Sequence, residues 1–360
     1  MTAPIDELLA SRSVIVCVGT GGVGKTSTSA ALALRAARAG RRVCVITIDP
    51  ARRLADSLRT DASAEIGNEP TRLAHDGPGE LWAVMLDSRT TFRELILTHA
   101  PSPERADAIF ENQLFANIAD GLSGTHEYMA MEKLHQLHHD ERFDLVIVDT
   151  PPVTNAVDFL EAPDRITRFL DHRLYRILVS PSGGLARAVN FAAQAFLRTI
   201  SRVVGARVVD DVIDFLAQFD GMEQGFRDRA ESVHRLLRAA DTSFLLVSIP
   251  RDDVNAEAAG FVTTLADAGI AVDAVIVNRV HPRFAEPDTD VDALVTSLAG
   301  TPLAPHALAL ARAEALADDD DAHIAALVHA LPDARITTVP LFDADLHDLD
   351  GIERLADALG

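Results

Sequence analysis

Short runs of apolar residues alternate along the chain with longer segments in which apolar residues recur every three or four positions. An unbroken apolar run is typical of a parallel strand buried on both faces, and the longer spacing is typical of an amphipathic helix. The runs predict strands over residues 14–18, 43–48, 81–86, 143–149, 242–248, 272–277 and 336–339. Because helical segments separate these strands, we predict an α/β fold with a doubly wound, mostly parallel sheet.

Two long helical blocks, residues 88–140 and 157–240, flank the predicted strand over residues 143–149. Both exceed the length of a simple crossover helix, so we predict that they form an inserted α-helical subdomain. The sheet core is then expected to consist of residues 1–87, 141–156 and 241–360.

The second helical block carries a broad apolar face over residues 188–204. Phe191, Phe196 and Ile200 belong to this face, with the mixed three-to-four spacing of an amphipathic helix. Two interpretations stay open at this point. The face packs inside the subdomain, or it lines a groove that receives an apolar helix.

Polar segments interrupt the pattern at three places. Residues 61–79, rich in glycine, proline and acidic residues, predict a surface loop. The acidic run over residues 318–321 predicts a solvated linker between two helices. His135, His138 and His139 share one helix face, which could hold a metal ion or form a solvated helix end. No neighbouring pattern such as HExxH completes a metal site, which favours the solvated end.

Composition narrows the possible functions. The chain has 360 residues, 48% of them hydrophobic, and a formal net charge of −21, which argues against nucleic acid or an anionic membrane surface as a partner. Its two cysteines, Cys17 and Cys44, lie in apolar runs and are expected in the core, and no CxxC pair supports a metal site. Neither a secretory signal nor a membrane span is evident, so we expect a cytoplasmic protein that contacts membranes, if at all, transiently through partners.

The strongest motif is GTGGVGKTS, residues 19–27, between the first predicted strand and a helix. Its spacing, G-x-x-x-x-G-K-[ST], is that of a phosphate-binding loop, in which backbone N–H groups and the helix N-terminus surround phosphate oxygens. Lys25 is expected to reach the β- and γ-phosphates, and Thr26 to hold Mg²⁺. The residues predicted to cradle the phosphates are Gly21, Gly22, Val23, Gly24, Lys25, Thr26 and Ser27.

Acidic residues follow two of the predicted strands. Asp49 comes after residues 43–48, where it could meet the γ-phosphate or its attacking water. Asp149 ends the apolar run over residues 143–149 in the manner of a Walker B strand, which holds Mg²⁺ directly or through water. Because ligands of parallel sheets bind at the carboxyl ends of the strands, both residues are expected at one site.

Together these segments resemble the ArsA family of P-loop ATPases, which includes the arsenite-pump ATPase and the guided-entry ATPase that carries tail-anchored membrane proteins. The matching segments, in the family's order, are GTGGVGKTS from residue 19, DPARRLADSL from 49, DTPPVTNAVDFL from 149, VNRV from 277 and VPLFDADLHDLDGIERL from 339. The resemblance implies that ATP and Mg²⁺ bind and that Asp49 orients or activates the attacking water. It also implies that Asn278 with Arg279 reads adenine, and that Pro340, Leu341 and Phe342 close over the base.

The chain departs from the family pattern at several positions that have functional roles in relatives. Thr20 stands where the family has a lysine that reaches the partner's nucleotide, and Asn155 replaces a histidine. The cysteines that bind arsenite or zinc in relatives are absent, so arsenite pumping is disfavoured and no zinc is expected. One phosphate loop is present where the pump ATPase has two, so a two-site assembly requires a homodimer or a heterodimer with a paralogue.

Three functions remain open. The resemblance favours a Mg²⁺-dependent ATPase that switches a dimer and controls a hydrophobic polypeptide client or a membrane protein, with the helical subdomain as the client-binding part. A ParA- or MinD-like positioning scaffold is a second possibility. The third is a weakly hydrolysing regulatory subunit of a hetero-oligomer, since Thr20 and Asn155 depart from the pattern.

Overall fold

The computed structural model describes residues 4–48, 66–112, 125–151, 167–168, 171, 218–219, 221–344, 346 and 348–360. The chain divides into two compact units. The first unit comprises Met1–Met85, Glu141–Val157 and Ala240–Gly360, and the second comprises Leu86–Asp140 and Asp158–Ala239.

The first unit contains an eight-stranded sheet. Its strands are β1 Val14–Val18, β2 Arg42–Thr47, β3 Thr71–Leu73, β4 Glu80–Met85, β5 Leu145–Asp149, β6 Thr242–Ser248, β7 Val272–Val280 and β8 Arg335–Pro340. They lie in the order β3-β4-β2-β5-β1-β6-β7-β8, and only β3 pairs antiparallel with its neighbour. Every residue of β1, β5 and β6 is buried, which requires packing on both faces of the sheet. The predicted doubly wound, mostly parallel fold is therefore confirmed.

The register aligns the carboxyl ends of the central strands. Asp149 at the end of β5 is paired with Cys17 of β1 on one side and with Thr47 of β2 on the other. Side chains that end these three strands therefore meet at one edge of the sheet, the edge where parallel sheets bind ligands.

Helices cover the sheet and build the second unit. The helices of the described residues are α1 Pro4–Ser11, α2 Lys25–Arg38, α3 Ser88–His99, α4 Pro103–Glu111, α5 Thr125–His138, α6 Glu223–Leu237, α7 Asp252–Asp267, α8 Val291–Ser297, α9 Ala304–Ala330 and α10 Leu349–Ala358. The helix that follows the phosphate loop, α2, is rich in fully buried alanines, which let it pack closely on the sheet and on α10. None of the helices described here is long and apolar enough to cross a membrane.

The described part of the second unit is helical. Asp87 begins α3 by accepting a hydrogen bond from the Thr90 backbone, as an N-cap residue does. The core between α3, α5 and α6 includes Leu95, Tyr128 and Phe226. The apolar face predicted at Phe191, Phe196 and Ile200 lies outside the described residues.

A buried polar cluster joins α5 to α6 in this unit. Arg229 donates to Nδ1 of His135 and forms an ion pair with Glu132 at 3.1 Å, while Nε2 of His135 lies 2.9 Å from the Ser232 hydroxyl. The same guanidinium nitrogen lies 3.3 Å from Nε2, but Nδ1 is nearer; because a guanidinium only donates, we assign Nδ1 as the acceptor and Nε2 as the protonated nitrogen. His135 is therefore neutral, and burial and the Arg229 charge lower its pKa to about 3. The solvated helix end predicted for the histidines is wrong for His135, which is buried.

Two segments differ from the sequence prediction. Residues 61–79 contain the edge strand β3 where a loop was predicted; three residues, of which only Leu73 is buried, are too short to show a period. The acidic run over residues 318–321 lies inside α9 and is not a linker. Its Asp320 is buried because one carboxylate oxygen accepts the His281 backbone N–H at 2.6 Å and the His281 ring Nδ1 at 2.8 Å.

Candidate functional site

The phosphate-loop motif connects β1 to α2. The helix begins at Lys25, and Gly24 before it has a left-handed backbone with φ 97° and no side chain that caps the helix. The N–H groups of the first helical turn are therefore not taken by a capping side chain, and the positive end of the helix dipole lies at the loop. This arrangement favours an anion, in particular a phosphate.

Lys25 is nearly buried and curves back over the loop that precedes it. Its Nζ donates to the carbonyl oxygens of Gly19 at 3.0 Å and Thr20 at 2.8 Å. Burying an ammonium group is costly unless hydrogen bonds compensate, and these two contacts do so here. The lysine charge is thereby held within the loop.

Thr26, Thr47 and Asp149 meet at the edge of the sheet beside the loop. One carboxylate oxygen of Asp149, Oδ2, accepts from the Thr26 hydroxyl at 2.8 Å and from the Thr47 hydroxyl at 2.9 Å. Asp149 itself is fully buried. The structure thus brings together the two residues expected to hold Mg²⁺, from a helix and a strand that are far apart in sequence.

Two threonines in this group were missed in the sequence. Thr47 is a polar residue within the otherwise apolar run over residues 43–48, and no other feature of the sequence marked it. Thr150 follows Asp149, and its hydroxyl donates to the Cys17 carbonyl at 2.7 Å, which ties the end of β5 to β1. Both hydroxyls restrict the position of Asp149. That of Thr47 bonds the Asp149 side chain, and that of Thr150 holds the backbone of the next residue.

Asn278, near the end of β7, contacts the phosphate loop directly. Its side-chain amide donates to the Val23 carbonyl at 2.9 Å, and its Oδ1 accepts from the backbone N–H of Arg279 at 2.9 Å. Arg279 has a positive φ of 61°, which is uncommon for a residue other than glycine. Asn278 was predicted to read adenine, and the structure places it against the loop.

Pro340, Leu341 and Phe342 follow the neighbouring strand end. Pro340 is the register partner of Val280, and the Leu341 N–H donates to the Val280 carbonyl at 2.7 Å. Leu341 is 41% exposed, and the Phe342 ring lies 5.1 Å from the Arg354 guanidinium carbon. The three residues thus stand beside the end of β7, on the same strand pair as Asn278.

A cavity of about 370 Å³ opens next to the first half of the loop. Its lining residues are Thr20, Gly21, Gly22, Ile249, Arg251, Asp253, Val254, Glu257 and Arg279. The Thr20 hydroxyl is buried without a hydrogen-bond partner among the described residues. Arg251 is held by Asp253 through contacts of 2.6 and 3.1 Å. The cavity therefore joins the phosphate loop to the β6–α7 turn.

Part of the predicted site lies outside the described residues. Asp49 and Asn155 belong to that part, as do the remaining residues of the segment from 152 to 160. The last described position before Asp49 is Ile48, whose backbone N–H donates to the Asp149 carbonyl at 3.1 Å. This bond ties Ile48 to the end of β5.

The chain is similar in sequence to known proteins over most of its length. A family profile described as anion-transporting ATPase matches residues 12–294, a range that contains the phosphate loop, Asp149 and Asn278. ATPase GET3 of Chaetomium globosum is 24% identical over 298 residues, which cover 81% of this chain and 80% of that protein. ATPase get3 of Neurospora crassa is 25% identical over 300 residues, with the same coverage of 81% and 80%. ATPase ARSA1 of Chlamydomonas reinhardtii is 26% identical over 290 residues, which cover 75% of this chain and 35% of that protein.

Proposed function

The chain belongs to the ArsA family of anion-transporting ATPases, and we propose that it uses Mg²⁺-dependent ATP hydrolysis to switch a dimer that controls an apolar client. The observation that carries the proposal is the contact of Thr26 with Asp149 at a helix N-terminus that no side chain caps, beside a loop that holds the Lys25 ammonium. A cation, a hydroxyl and a carboxylate at such a position suit a nucleoside triphosphate with its metal ion.

The residues present fit a magnesium ion. Mg²⁺ prefers oxygen ligands, and the Thr26 hydroxyl and the Asp149 carboxylate supply two oxygens only 2.8 Å apart. In the proposed site these two residues hold the ion, directly or through water. When bound, Mg²⁺ offsets the negative charge that develops on the transferring phosphate.

The chain's own groups perform the remaining steps. Backbone N–H groups over residues 21–27 bind the phosphates, and Lys25 supplies positive charge to the β- and γ-phosphates. Asp49 orients the attacking water in this proposal. Its support is the register, because Thr47 of the same strand is the partner of Asp149. Asp49 follows Thr47 by two positions in the sequence.

The base end of the proposed site lies at β7 and β8. Asn278 and Arg279 are proposed to contact adenine, and Pro340, Leu341 and Phe342 to cover it. The pairing of Val280 with Pro340 supports this assignment, because it places the two segments side by side. The exposed Leu341 leaves apolar surface against which a base can pack.

The switching part of the proposal rests on sequence. The resemblance to guided-entry ATPases supports a dimer and a hydrophobic polypeptide or membrane protein as the client, with the helical subdomain as its binding part. In this proposal γ-phosphate orders the segments near Asp49 and Asp149, and hydrolysis releases them. The protein then works in the cytoplasm and contacts membranes through its partners.

The experiment compares ATP turnover and molecular mass for the wild type and Asp49→Asn. We expect the wild type to hydrolyse ATP, and Asp49→Asn to bind it without turnover and to remain dimeric by light scattering. Equal, near-zero turnover of both would instead identify a regulatory subunit, as the departures at Thr20 and Asn155 allow. Stimulation of turnover by DNA would favour a positioning scaffold.

A further inference from the structure

We propose that Asn278 is a positioning residue that holds the phosphate loop in its binding conformation, whatever base the nucleotide carries. The inference rests on the proposed ATPase function and adds a second role to a residue assigned to adenine. Its basis is the hydrogen bond of 2.9 Å from the Asn278 amide to the Val23 carbonyl, which joins residues 255 positions apart. Asn278 is 7% exposed, so the bond is shielded from water.

The orientation of the Asn278 amide follows from its second contact. The backbone N–H of Arg279 can only donate, so the atom 2.9 Å from it must be the side-chain oxygen. The NH₂ group is then the end that faces Val23. The two hydrogen bonds therefore determine which way the amide points, a choice that atom positions alone leave ambiguous.

This bond sets the direction of one peptide group in the loop. In a trans peptide the carbonyl and the N–H point to opposite sides, and the bond between Val23 and Gly24 is trans. With the Val23 carbonyl turned towards Asn278, the Gly24 N–H must point away from it. An N–H that faces away from β7 at the helix N-terminus is available to a phosphate. Without Asn278 the peptide could rotate and present its carbonyl instead.

Close packing holds the same peptide from the side. A Cβ on Gly24 would lie 2.4 Å from the Asn278 side-chain nitrogen, so only glycine fits there without displacing the amide. The Val23 side chain is fully buried in the core of the first unit. Val23 and Gly24 are therefore held between the core and Asn278, and the loop conformation depends on the amide.

The two roles of Asn278 make different predictions for a ligand without a base. A residue that only reads adenine contributes nothing to the binding of inorganic tripolyphosphate. A residue that positions the loop contributes to the binding of tripolyphosphate as well as of ATP. Loss of one shielded hydrogen bond is expected to raise the dissociation constant of tripolyphosphate by about five- to tenfold, and that of ATP by at least as much.

The test measures binding of Mg²⁺-tripolyphosphate and Mg²⁺-ATP by calorimetry. Asn278→Ala removes the amide, and Asn278→Leu removes its hydrogen bonds while keeping a branched side chain of similar shape. Asn255→Ala is the matched control, because the Asn255 amide also donates to a backbone carbonyl, that of His323 at 3.1 Å. Lys25→Ala defines the background that does not depend on the loop.

The expected result is weaker tripolyphosphate binding in the two Asn278 variants, with ATP binding weakened at least as much and neither ligand weakened in Asn255→Ala. Faster hydrogen exchange over residues 19–28 in the ligand-free Asn278 variants is expected with it, and distinguishes loop release from a lost base contact. The inference is overturned if only ATP weakens, or if neither ligand does. Wild-type protein that binds neither ligand above the Lys25→Ala background would instead refute the proposed function.

Discussion

Alanine substitutions at Gly22 and Gly24 make the same chemical change at two places in the phosphate loop. Both glycines have a positive φ, 78° and 97° respectively. Their surroundings differ, because a Cβ on Gly22 would have no atom within 4 Å, whereas one on Gly24 would lie 2.4 Å from the Asn278 amide nitrogen. The pair therefore separates backbone strain from the steric contact with Asn278.

The expected free energies of unfolding follow from these contacts. A left-handed backbone costs a residue with a Cβ about 1–2 kcal/mol, and this applies at both positions. Gly24→Ala must also displace the Asn278 side chain. The displacement breaks a hydrogen bond worth about 1 kcal/mol and forces Asn278 into another rotamer, at a cost of about 0.5–1.5 kcal/mol. Restriction of the unfolded chain affects both variants alike and cancels in the comparison. Gly24→Ala is thus expected to be less stable than Gly22→Ala by about 2 kcal/mol.

The assay is urea unfolding of the nucleotide-free protein, followed by tryptophan fluorescence. The chain has one tryptophan, Trp82, which lies on β4 and reports on the unit that contains both glycines. In an Asn278→Ala background, Gly24→Ala and Gly22→Ala should differ little in stability, because the clash is gone. Equal loss of stability at Gly22 and Gly24 would refute the reasoning, as it would leave no effect of Asn278.

Two further outcomes are expected from buried polar groups. The folded-state pKa of His135, about 3, lies below the value of about 6.5 in an unfolded chain, so the unfolded state takes up the proton first on acidification. Its contribution to stability is present above pH 6.5 and falls by about 2 kcal/mol between pH 6.5 and 5. His135→Asn should flatten this dependence, measured by hydrogen exchange of α5; an unchanged slope would contradict the neutral tautomer. In α9, Asp320→Ala should lower the free energy of unfolding, measured in urea, by about 2–4 kcal/mol, because two donors of His281 lose their acceptor. Asp319→Ala, at the exposed neighbouring position, should change it by no more than about 0.5 kcal/mol. Equal costs for the two would contradict this account of the helix.

The sequence predicted best those elements whose structure is indicated by residues adjacent in the chain. The central strands are buried on both faces, so their apolar runs are unbroken and their bounds came within a few residues of β1, β2 and β6. The acidic run in α9 was misread because the partner that permits burial of Asp320, His281, is 39 positions away. Charge on its own predicts solvation, and only the folded chain shows a compensating donor.

In the candidate site, too, the sequence predicted the positions set by a local motif but not the contacts between distant segments. Lys25 and Thr26 belong to one continuous motif, whose spacing sets their positions relative to the loop. The contacts of Thr47 with Asp149 and of Asn278 with Val23 join strands or loops that are 102 and 255 positions apart. Such contacts depend on strand order and register, which a periodic pattern does not specify.

The central claim is that Thr26 and Asp149 hold magnesium for an ATP molecule bound at the phosphate loop. Calorimetric titration of ATP, with and without Mg²⁺, into the wild type and Thr26→Val tests it most directly. Thr28→Val is the matched control, since the Thr28 hydroxyl on the same helix has no hydrogen-bond partner among the described residues. We expect Mg²⁺ to strengthen ATP binding to the wild type and to Thr28→Val by about tenfold or more, and to have little effect on Thr26→Val. Undiminished strengthening by Mg²⁺ in Thr26→Val would contradict the claim.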